Sequence, residues 1–459
     1  MAEGIEAERL YVGVDVGGTK IQASLVRESG SVAARERRPT PRDGDVEGTL
    51  AVIRETVEAV VADGPLAAGD LAGVGLAIPG VVDPRRGHVV VTPNMNLSGV
   101  DVVAPLEAAL GVPVVLGNDC NLGTLGEVWL GAARGAQSAF GILVGTGIGG
   151  GFVQKTQLWR GHRESASEIG HVVMEIGGPE CGCGNRGCLE ALASRTAIER
   201  DIRQAVDEGR NTALSERLDG DLSRIRSGAL RDALAAGDGL VTEVMSRASE
   251  VLGHACLMVR HLLDPEVIVL GGGVIEACGD FMFPIVRRIV EGDRLPGARQ
   301  GAEVRVSALG DDAVAVGAVA MARLHVGRSP FKKRFERMPV YPEIGGVSFG
   351  QVTVGGEAYD RDVYIRVNGK VKKRRKGVAK RRYGTSHRIG PEELEKVCKG
   401  APEVVFIGTG HSGQAELTSE GETFLSQRSI ACEAMPTAQA AEAYNRCERR
   451  KAALIHVTC

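Results

Sequence analysis

The chain has 459 residues, 43% hydrophobic and 25% charged, which excludes a wholly disordered protein and leaves room for about three compact units. Its net charge of −3 hides an asymmetry: residues 1–326 carry 31 Lys+Arg against 43 Asp+Glu, and residues 327–459 carry 24 against 15. No run approaches ~18 uninterrupted apolar residues and the N-terminus is acidic, so neither a membrane span nor a secretory leader is expected, and the chain is placed in the cytoplasm.

Leu10–Val16 is a short apolar run that breaks at Gly17-Gly18-Thr19-Lys20, and Ile21–Val26 alternates as a second strand. Residues 48–63 have helical periodicity, Gly73–Ile78 is a strand stopped by Pro79-Gly80, and Val112–Leu116 is a strand ending at Asn118-Asp119. Phe140–Val144 leads into Gly145–Gly151, which holds five glycines in seven residues, and the strand resumes at Phe152. This strand–glycine turn–strand unit resembles the one at 10–26. Residues 190–262 read as mostly helical, and Val267–Leu270 is a buried-type strand running into Gly271-Gly272-Gly273. Residues 326–346 read as a linker. Beyond it, strand-like segments (347–354, 362–367, 403–407) precede helix-like ones (391–399, 437–449), as in a compact α/β module.

The glycine turns are candidate phosphate loops, because glycine lets backbone N–H groups approach an anion closely. Asp15 sits at the first strand end with Gly17, Gly18, Thr19 and Lys20 behind it; the spacing is not that of a Walker P-loop, and an ordinary hairpin turn is the alternative. Cys181, Cys183 and Cys188 lie within eight residues, with His171 ten upstream. Three thiolates and an imidazole suit a closed tetrahedral Zn²⁺ site better than disulfides in a reducing compartment. Asp119 follows a strand among small polar residues, where it can serve either as a general base or as a helix N-cap.

Asp15–Lys20, Asn118-Asp119-Cys120-Asn121, Gly145–Gly151, Glu168-Ile-Gly-His171 and Cys181-Gly-Cys183-Gly-Asn-Arg-Gly-Cys188 occur in this order. They resemble the ROK family (repressors, open reading frames, sugar kinases), and within it the bacterial ATP-dependent glucokinases, over residues 9–325. The resemblance implies a two-lobed α/β fold of the actin/hexokinase-like (ribonuclease H-like) ATPase type, with an N-terminal lobe at 1–125 and a C-terminal lobe at 126–325. A linker at 326–340 and a small basic α/β domain at 341–459 complete the division. It further implies Mg²⁺ with ATP, a structural Zn²⁺ on His171, Cys181, Cys183 and Cys188, a hexose as acceptor, and a homodimer or homotetramer.

Carried over residue by residue, Asp119 is the general base. Asn118, Glu168, His171 and Glu190, with Gly80 and Asn94, would meet the sugar. Asp15, Gly17, Gly18, Thr19, Lys20, Gly145, Thr146, Gly147, Gly271, Gly272 and Gly273 would meet ATP. For Glu190 the alternative is a favourable carboxylate at a helix N-terminus. Two departures stand out: Glu164 and Ser167 replace positions where glycine is common. Glucose is the favoured acceptor; N-acetylmannosamine, N-acetylglucosamine and fructose are the rivals, and a sugar-responsive regulator is the alternative outside catalysis. Only about nine residues precede the first strand, which counts against an N-terminal helix-turn-helix.

Residues 340–459 resemble the small domain of adipogenesis-associated proteins and their prokaryotic relatives, on Tyr341-Pro-Glu-Ile, Val367-Asn-Gly-Lys-Val, Phe406-Ile-Gly408-Thr-Gly410, Met435-Pro-Thr437 and Ala443-Tyr444-Asn445. That likeness implies a fold and no activity. Gly408-Thr-Gly410-His-Ser-Gly413 is a lone G-x-G-x-x-G, weak as a dinucleotide signal. Arg366–Arg388 carries eleven Lys+Arg and no acid. The first reading is a solvated loop or a face docking on the acidic part; nucleic acid is disfavoured by scarce aromatics, and a phosphorylated anion is the remaining reading.

Overall fold

The computed structural model describes residues 9–41, 45–64, 71–93, 95–295, 303–331, 341–374, 376–400, 402–426, 428, 430, 431–447 and 449–458. They belong to two compact units, Met1–Lys332 and Lys333–Cys459. Among these residues no helix is long and apolar enough to cross a membrane.

The first unit opens with β1 (Leu10–Val16), β2 (Lys20–Arg27), β3 (Val32–Pro39), α1 (Val46–Ala62) and β4 (Leu71–Ile78). A small antiparallel sheet of β5 (Val81–Asp83), β6 (His88–Val91) and β7 (Val100–Asp101) follows, then α2 (Val103–Leu110), β8 (Val114–Asn118) and α3 (Asp119–Trp129). The main sheet has the order β3-β2-β1-β4-β8, with an antiparallel meander on one side and parallel strands on the other. The second half repeats this plan. β9 (Ser138–Val144), β10 (Ile148–Gln154) and β11 (Gln157–Leu158) form the meander, and after the helices α4 (Leu189–Ala193), α5 (Arg195–Asp207), α6 (Ala213–Arg217), α7 (Ser227–Ala235) and α8 (Gly239–Leu263) comes β12 (Val267–Gly271). With α9 (Gly273–Glu291) and β13 (Glu303–Val306) the order becomes β11-β10-β9-β12-β13. Two sheets of identical order therefore stand behind the two similar hairpins.

The last helix of this unit, α10 (Ala313–His325), packs on α3, β1 and β4. Small residues permit the approach: a Cβ on Gly13 of β1 or Gly75 of β4 would stand 2.1 Å from a carbonyl oxygen of α10. So the chain returns to the first sheet after completing the second, and α3 itself runs through the 125/126 boundary drawn from the sequence.

The second unit holds an antiparallel sheet of β14 (Ile344–Ser348), β15 (Gln351–Val354) and β16 (Glu357–Tyr359), beside a five-stranded sheet. Its remaining elements are β17 (Val363–Ile365), β18 (Val371–Lys373), α11 (Gly377–Tyr383), β19 (Arg388–Ile389), α12 (Pro391–Val397), β20 (Val404–Gly408), β21 (Glu416–Leu417), α13 (Ser419–Ser426), β22 (Ala431–Met435), α14 (Thr437–Arg446) and β23 (Lys451–Ile455). The five-stranded order is β18-β17-β23-β20-β22, in which β23, β20 and β22 are parallel. Most of the expected linker, residues 332–340, lies outside the described residues.

Candidate active site

The site is assembled where strands end. β8 finishes at Asn118, whose side-chain oxygen accepts from the Asn121 N–H at 3.0 Å and caps α3. The cap is thus Asn118, and Asp119 is the first residue of the helix. With the helix capped by Asn118, the Asp119 carboxylate does not serve as the cap; it accepts from the adjacent Cys120 N–H at 2.8 Å. Burial pushes the Asp119 carboxyl above the usual carboxylate range, against the pull of that Cys120 hydrogen bond.

Asp15, at the end of β1, is raised to about 6, first by burial and then by the negative charge of Asp119, with Lys20 pulling the other way. Two half-buried carboxylates facing one region destabilise each other unless a cation joins them. The turn behind Asp15 is held by Gly17 N–H donating to the Lys20 carbonyl at 2.9 Å and by the Thr40 hydroxyl on the Gly17 carbonyl.

Around Asp119 the structure gathers the other acceptors. Glu168 is raised by burial, lowered by His171 and raised by Asp119 and Glu190, which places all four groups within electrostatic reach. The Asn118 amide donates to the Gly80 carbonyl at 3.0 Å. Gly80 has φ +98° and a Cβ there would meet the Val91 carbonyl oxygen at 2.2 Å, so its place in the site is that of a turn that orients Asn118. Asn94 lies outside the described residues.

Glu190 is committed more than the sequence suggests: one oxygen accepts from the Ile148 N–H at 2.9 Å and the other lies 3.9 Å from Cys181 Sγ. It ties the 145–148 turn to the cysteine loop. His171 presents Nδ1 to Cys181 Sγ at 3.7 Å, and Cys183 Sγ lies 3.8 Å from Cys188 Sγ; all four ligand atoms lie within 4.8 Å of one another.

The glycines of 145–151 divide by task. At Gly149 and Gly151 an added Cβ would strike Cys120 Sγ at 2.3 Å and Thr124 Oγ1 at 2.5 Å, so these two admit α3 to the sheet. Gly145, Thr146 and Gly147 form the turn, with Thr146 exposed at its tip. Two residues not singled out from the sequence hold it: Arg195 donates to Thr146 Oγ1 at 2.8 Å, and Thr196 Oγ1 donates to the Thr146 carbonyl at 2.8 Å. Their signal was the Ser194-Arg-Thr start of α5, where Ser194 is the cap. Gly272, at φ +86°, lies against the Val144 backbone, so Gly271–Gly273 and the start of α9 border the same turn. Beyond them an open cavity of about 460 Å³ is lined by Ile275, Glu276, Asp280, Phe283, Pro284 and Ser307.

Glu164 and Ser167 both adopt left-handed backbone, φ +57° and +69°, which explains why glycine is the unstrained choice there. Glu164 is also held by Arg85, from the β5–β6 turn, at 3.5 Å and by Arg160 at 3.9 Å.

Residues 11–324 match the ROK family. The chain belongs to that family. A second match, to a protein of unknown function family (DUF498/DUF598), covers residues 344–456, so the chain is a fusion of the two. Among its relatives, the glucokinase of Thermotoga maritima is 35% identical over 317 residues, 69% of this chain and 98% of the relative. The glucokinase of Halalkalibacterium halodurans is 34% identical over 313 residues, 68% of this chain and 94% of the relative. A ROK family glucokinase from Streptomyces griseus, solved with glucose and AMPPNP, superposes with a TM-score of 0.61 at 32% identity, covering 69% of this chain and 99% of that one.

Proposed function

We propose that the ROK unit is an ATP-dependent hexose kinase that phosphorylates the C6 hydroxyl of glucose. The observation that carries this reading is Asp119: a half-buried carboxylate on a helix already capped by its neighbour, facing Asp15 and Glu168, with His171 and Glu190 in turn acting on Glu168. Phosphoryl transfer asks for positioning, charge neutralisation and an acceptor for the hydroxyl proton. Asp119 takes that proton as the C6 oxygen attacks the γ-phosphate, and its raised pKa moves proton affinity toward that task. Asn118, Glu168 and His171 fix the sugar hydroxyls. The turns at Gly17–Lys20 and Gly145–Gly147, whose first N–H groups are bonded within the turns, offer their following N–H groups to the phosphates, and the cavity beside Gly271–Gly273 has the size for the adenosine.

The residues present fit both expected metals. Asp15 and Asp119 are the like-charged pair that Mg²⁺ would neutralise, and Mg²⁺ bound with ATP would offset the charge of the phosphates. The sulfur separation of 3.8 Å agrees with roughly 3.8 Å for two thiolates on a tetrahedral Zn²⁺ with ~2.3 Å bonds. His171, Cys181, Cys183 and Cys188 would hold that ion; with His171 Nδ1 turned toward the thiolates, Nε2 is the nitrogen left for a sugar hydroxyl.

The test is ADP release from purified protein with ATP, Mg²⁺ and a panel of glucose, fructose, N-acetylglucosamine and N-acetylmannosamine. Release with glucose is expected. Release with another sugar alone would overturn the acceptor and keep the mechanism; silence on every sugar, in folded protein, would favour a sensor.

A further inference from the structure

The C-terminal unit contains a charge cluster that the kinase reading does not use. Arg374, which belongs to the run of eleven cations, is fully buried. It donates to Asp362 Oδ2 at 3.0 Å, to Glu393 Oε1 and Oε2 at 2.9 and 2.8 Å, and to the Ser386 carbonyl at 2.9 Å. Tyr364 donates to Glu393, Val457 N–H donates to Asp362, and Lys376 reaches Asp362 at 3.3 Å. Asp362 also faces Nδ1 of the fully buried His456 at 2.5 Å. Burial alone would raise the Asp362 carboxyl, but the His456 hydrogen bond, Val457 N–H and Arg374 hold it well below the usual range. Asp362 and, at 3.4 Å, Arg374 both face Nδ1, so they fix the His456 ring with Nε2 turned away from the cluster. In this otherwise satisfied cluster, His456 Nε2 is buried with no hydrogen-bond partner.

Topology puts His456 at a strand end suited to ligands. β20 is followed by β22 on one side and, through α14, by β23 on the other, so the strand order reverses between β20 and β23. Ligands of open α/β sheets bind outside the carboxyl ends of the strands at such a point. Gly408, the last residue of β20, pairs with Ile455, the last of β23, and His456 comes next. The loop leaving Gly408 is the unassigned G-x-G-x-x-G. Gly410 and Gly413 are left-handed, at φ +98° and +69°, and Gly410 N–H is tied to Thr437 Oγ1, whose hydroxyl in turn donates to the His456 carbonyl. Among the described residues, the N–H groups of His411, Ser412 and Gly413 make no hydrogen bond, and all three residues are exposed. The loop returns beside His387, whose carbonyl accepts from Glu416 N–H and whose ring packs 5.6 Å from that of His456. An exposed Phe349 rests against His411 at 6.1 Å.

We propose that this end of the C-terminal sheet binds a small phosphate monoester. The successive N–H groups of His411, Ser412 and Gly413 receive the phosphate in the manner of a backbone nest. The Phe349–His411 pair covers the organic part, and the unpartnered His456 Nε2 makes a hydrogen bond to the ligand. The excess of Lys and Arg in this part of the chain draws such an anion in.

The test is titration of the full-length protein with inorganic phosphate, followed by calorimetry and by histidine-selective NMR. Saturable binding below about 20 mM is expected. It should weaken at least ~10-fold in Ser412→Glu, which puts a carboxylate on an exposed loop and spares the buried cluster, and stay unchanged in Lys20→Ala, which alters the other unit. The resonance lost in His456→Asn should move on phosphate addition. Absence of saturable binding, binding that survives Ser412→Glu, or binding lost only in Lys20→Ala would each overturn the proposal, and an unmoved His456 signal would remove the histidine from it.

Discussion

The two units bury charge in opposite ways. In the ROK unit Asp15 and Asp119 are desolvated without a cationic partner at hydrogen-bond distance among the described residues, and both are pushed toward the protonated form. In the C-terminal unit Asp362 is fully buried where Asp15 and Asp119 are half-buried, yet Arg374, Lys376 and His456 surround it and hold it ionised. Carboxylates left mutually repelling mark a place where a cation and a reacting group belong. Carboxylates paired inside the fold hold the scaffold, and in that cluster the unpaired His456 Nε2 is the informative atom.

The largest effect is expected at Asp119. Asp119→Asn keeps the shape and removes the proton acceptor, so turnover should fall by at least ~10²-fold with sugar affinity within about threefold, measured by steady-state kinetics and sugar titration. Turnover within tenfold of the parent would take the base role away from Asp119.

On the other side, Arg374→Met should cost about 3–5 kcal/mol in the C-terminal unit, because Asp362 and Glu393 stay buried without their counterion. In urea, the transition of that unit should move to much lower concentration, while hexose phosphorylation per molecule changes by less than about twofold. A parallel loss of turnover would show that the units depend on each other.

Cys183→Ser probes the loop that joins the two acceptors Glu190 and His171. Zinc measured by elemental analysis should be lost, and the KM for glucose should rise ~10-fold with the KM for ATP nearly constant. Intact parent protein free of zinc would end that reading.

These sites differ in how far they could be read from the sequence. Asp15–Lys20, the cysteine cluster and Asp119 were legible because each needs particular residue types at short spacing. The α3 cap was not, since Asn118 and Asp119 are both good caps and one residue of helix phase decides between them. The positive φ of Glu164 and Ser167 was visible only as a departure from glycine. Arg374 was hidden most completely: its partners lie 12, 19 and 82 residues away, and composition reports charge without burial. The sequence reading of Arg366–Arg388 as a solvated or docking face therefore fails at its centre, where the cation is part of the core. The glycines at 149 and 151 likewise take their meaning from α3, which tertiary packing alone brings against them.

Asp15→Asn gives the smallest effect and the sharpest comparison. A carboxylate whose folded pKa is about 6 against an ordinary 3.8 binds its proton more tightly in the folded chain. Its penalty is therefore absent below about pH 4, grows as pH rises through the window from 4 to 6, and is constant above it. Asparagine carries no such penalty. Asp15→Asn should stabilise the first unit by about 1–2 kcal/mol at pH 7.5 and by almost nothing at pH 4, read from thermal unfolding at the two pH values. Because Asp119 supplies part of the shift, the gain should shrink when Asp119→Asn is already present, so the two substitutions are non-additive. Asp362→Asn should behave with the opposite sign, since its folded pKa lies below the ordinary value: stability is lost at neutral pH, and the loss fades as pH falls and the parent carboxylate protonates. Equal signs at Asp15 and Asp362 would mean that the two units do not bury charge differently after all.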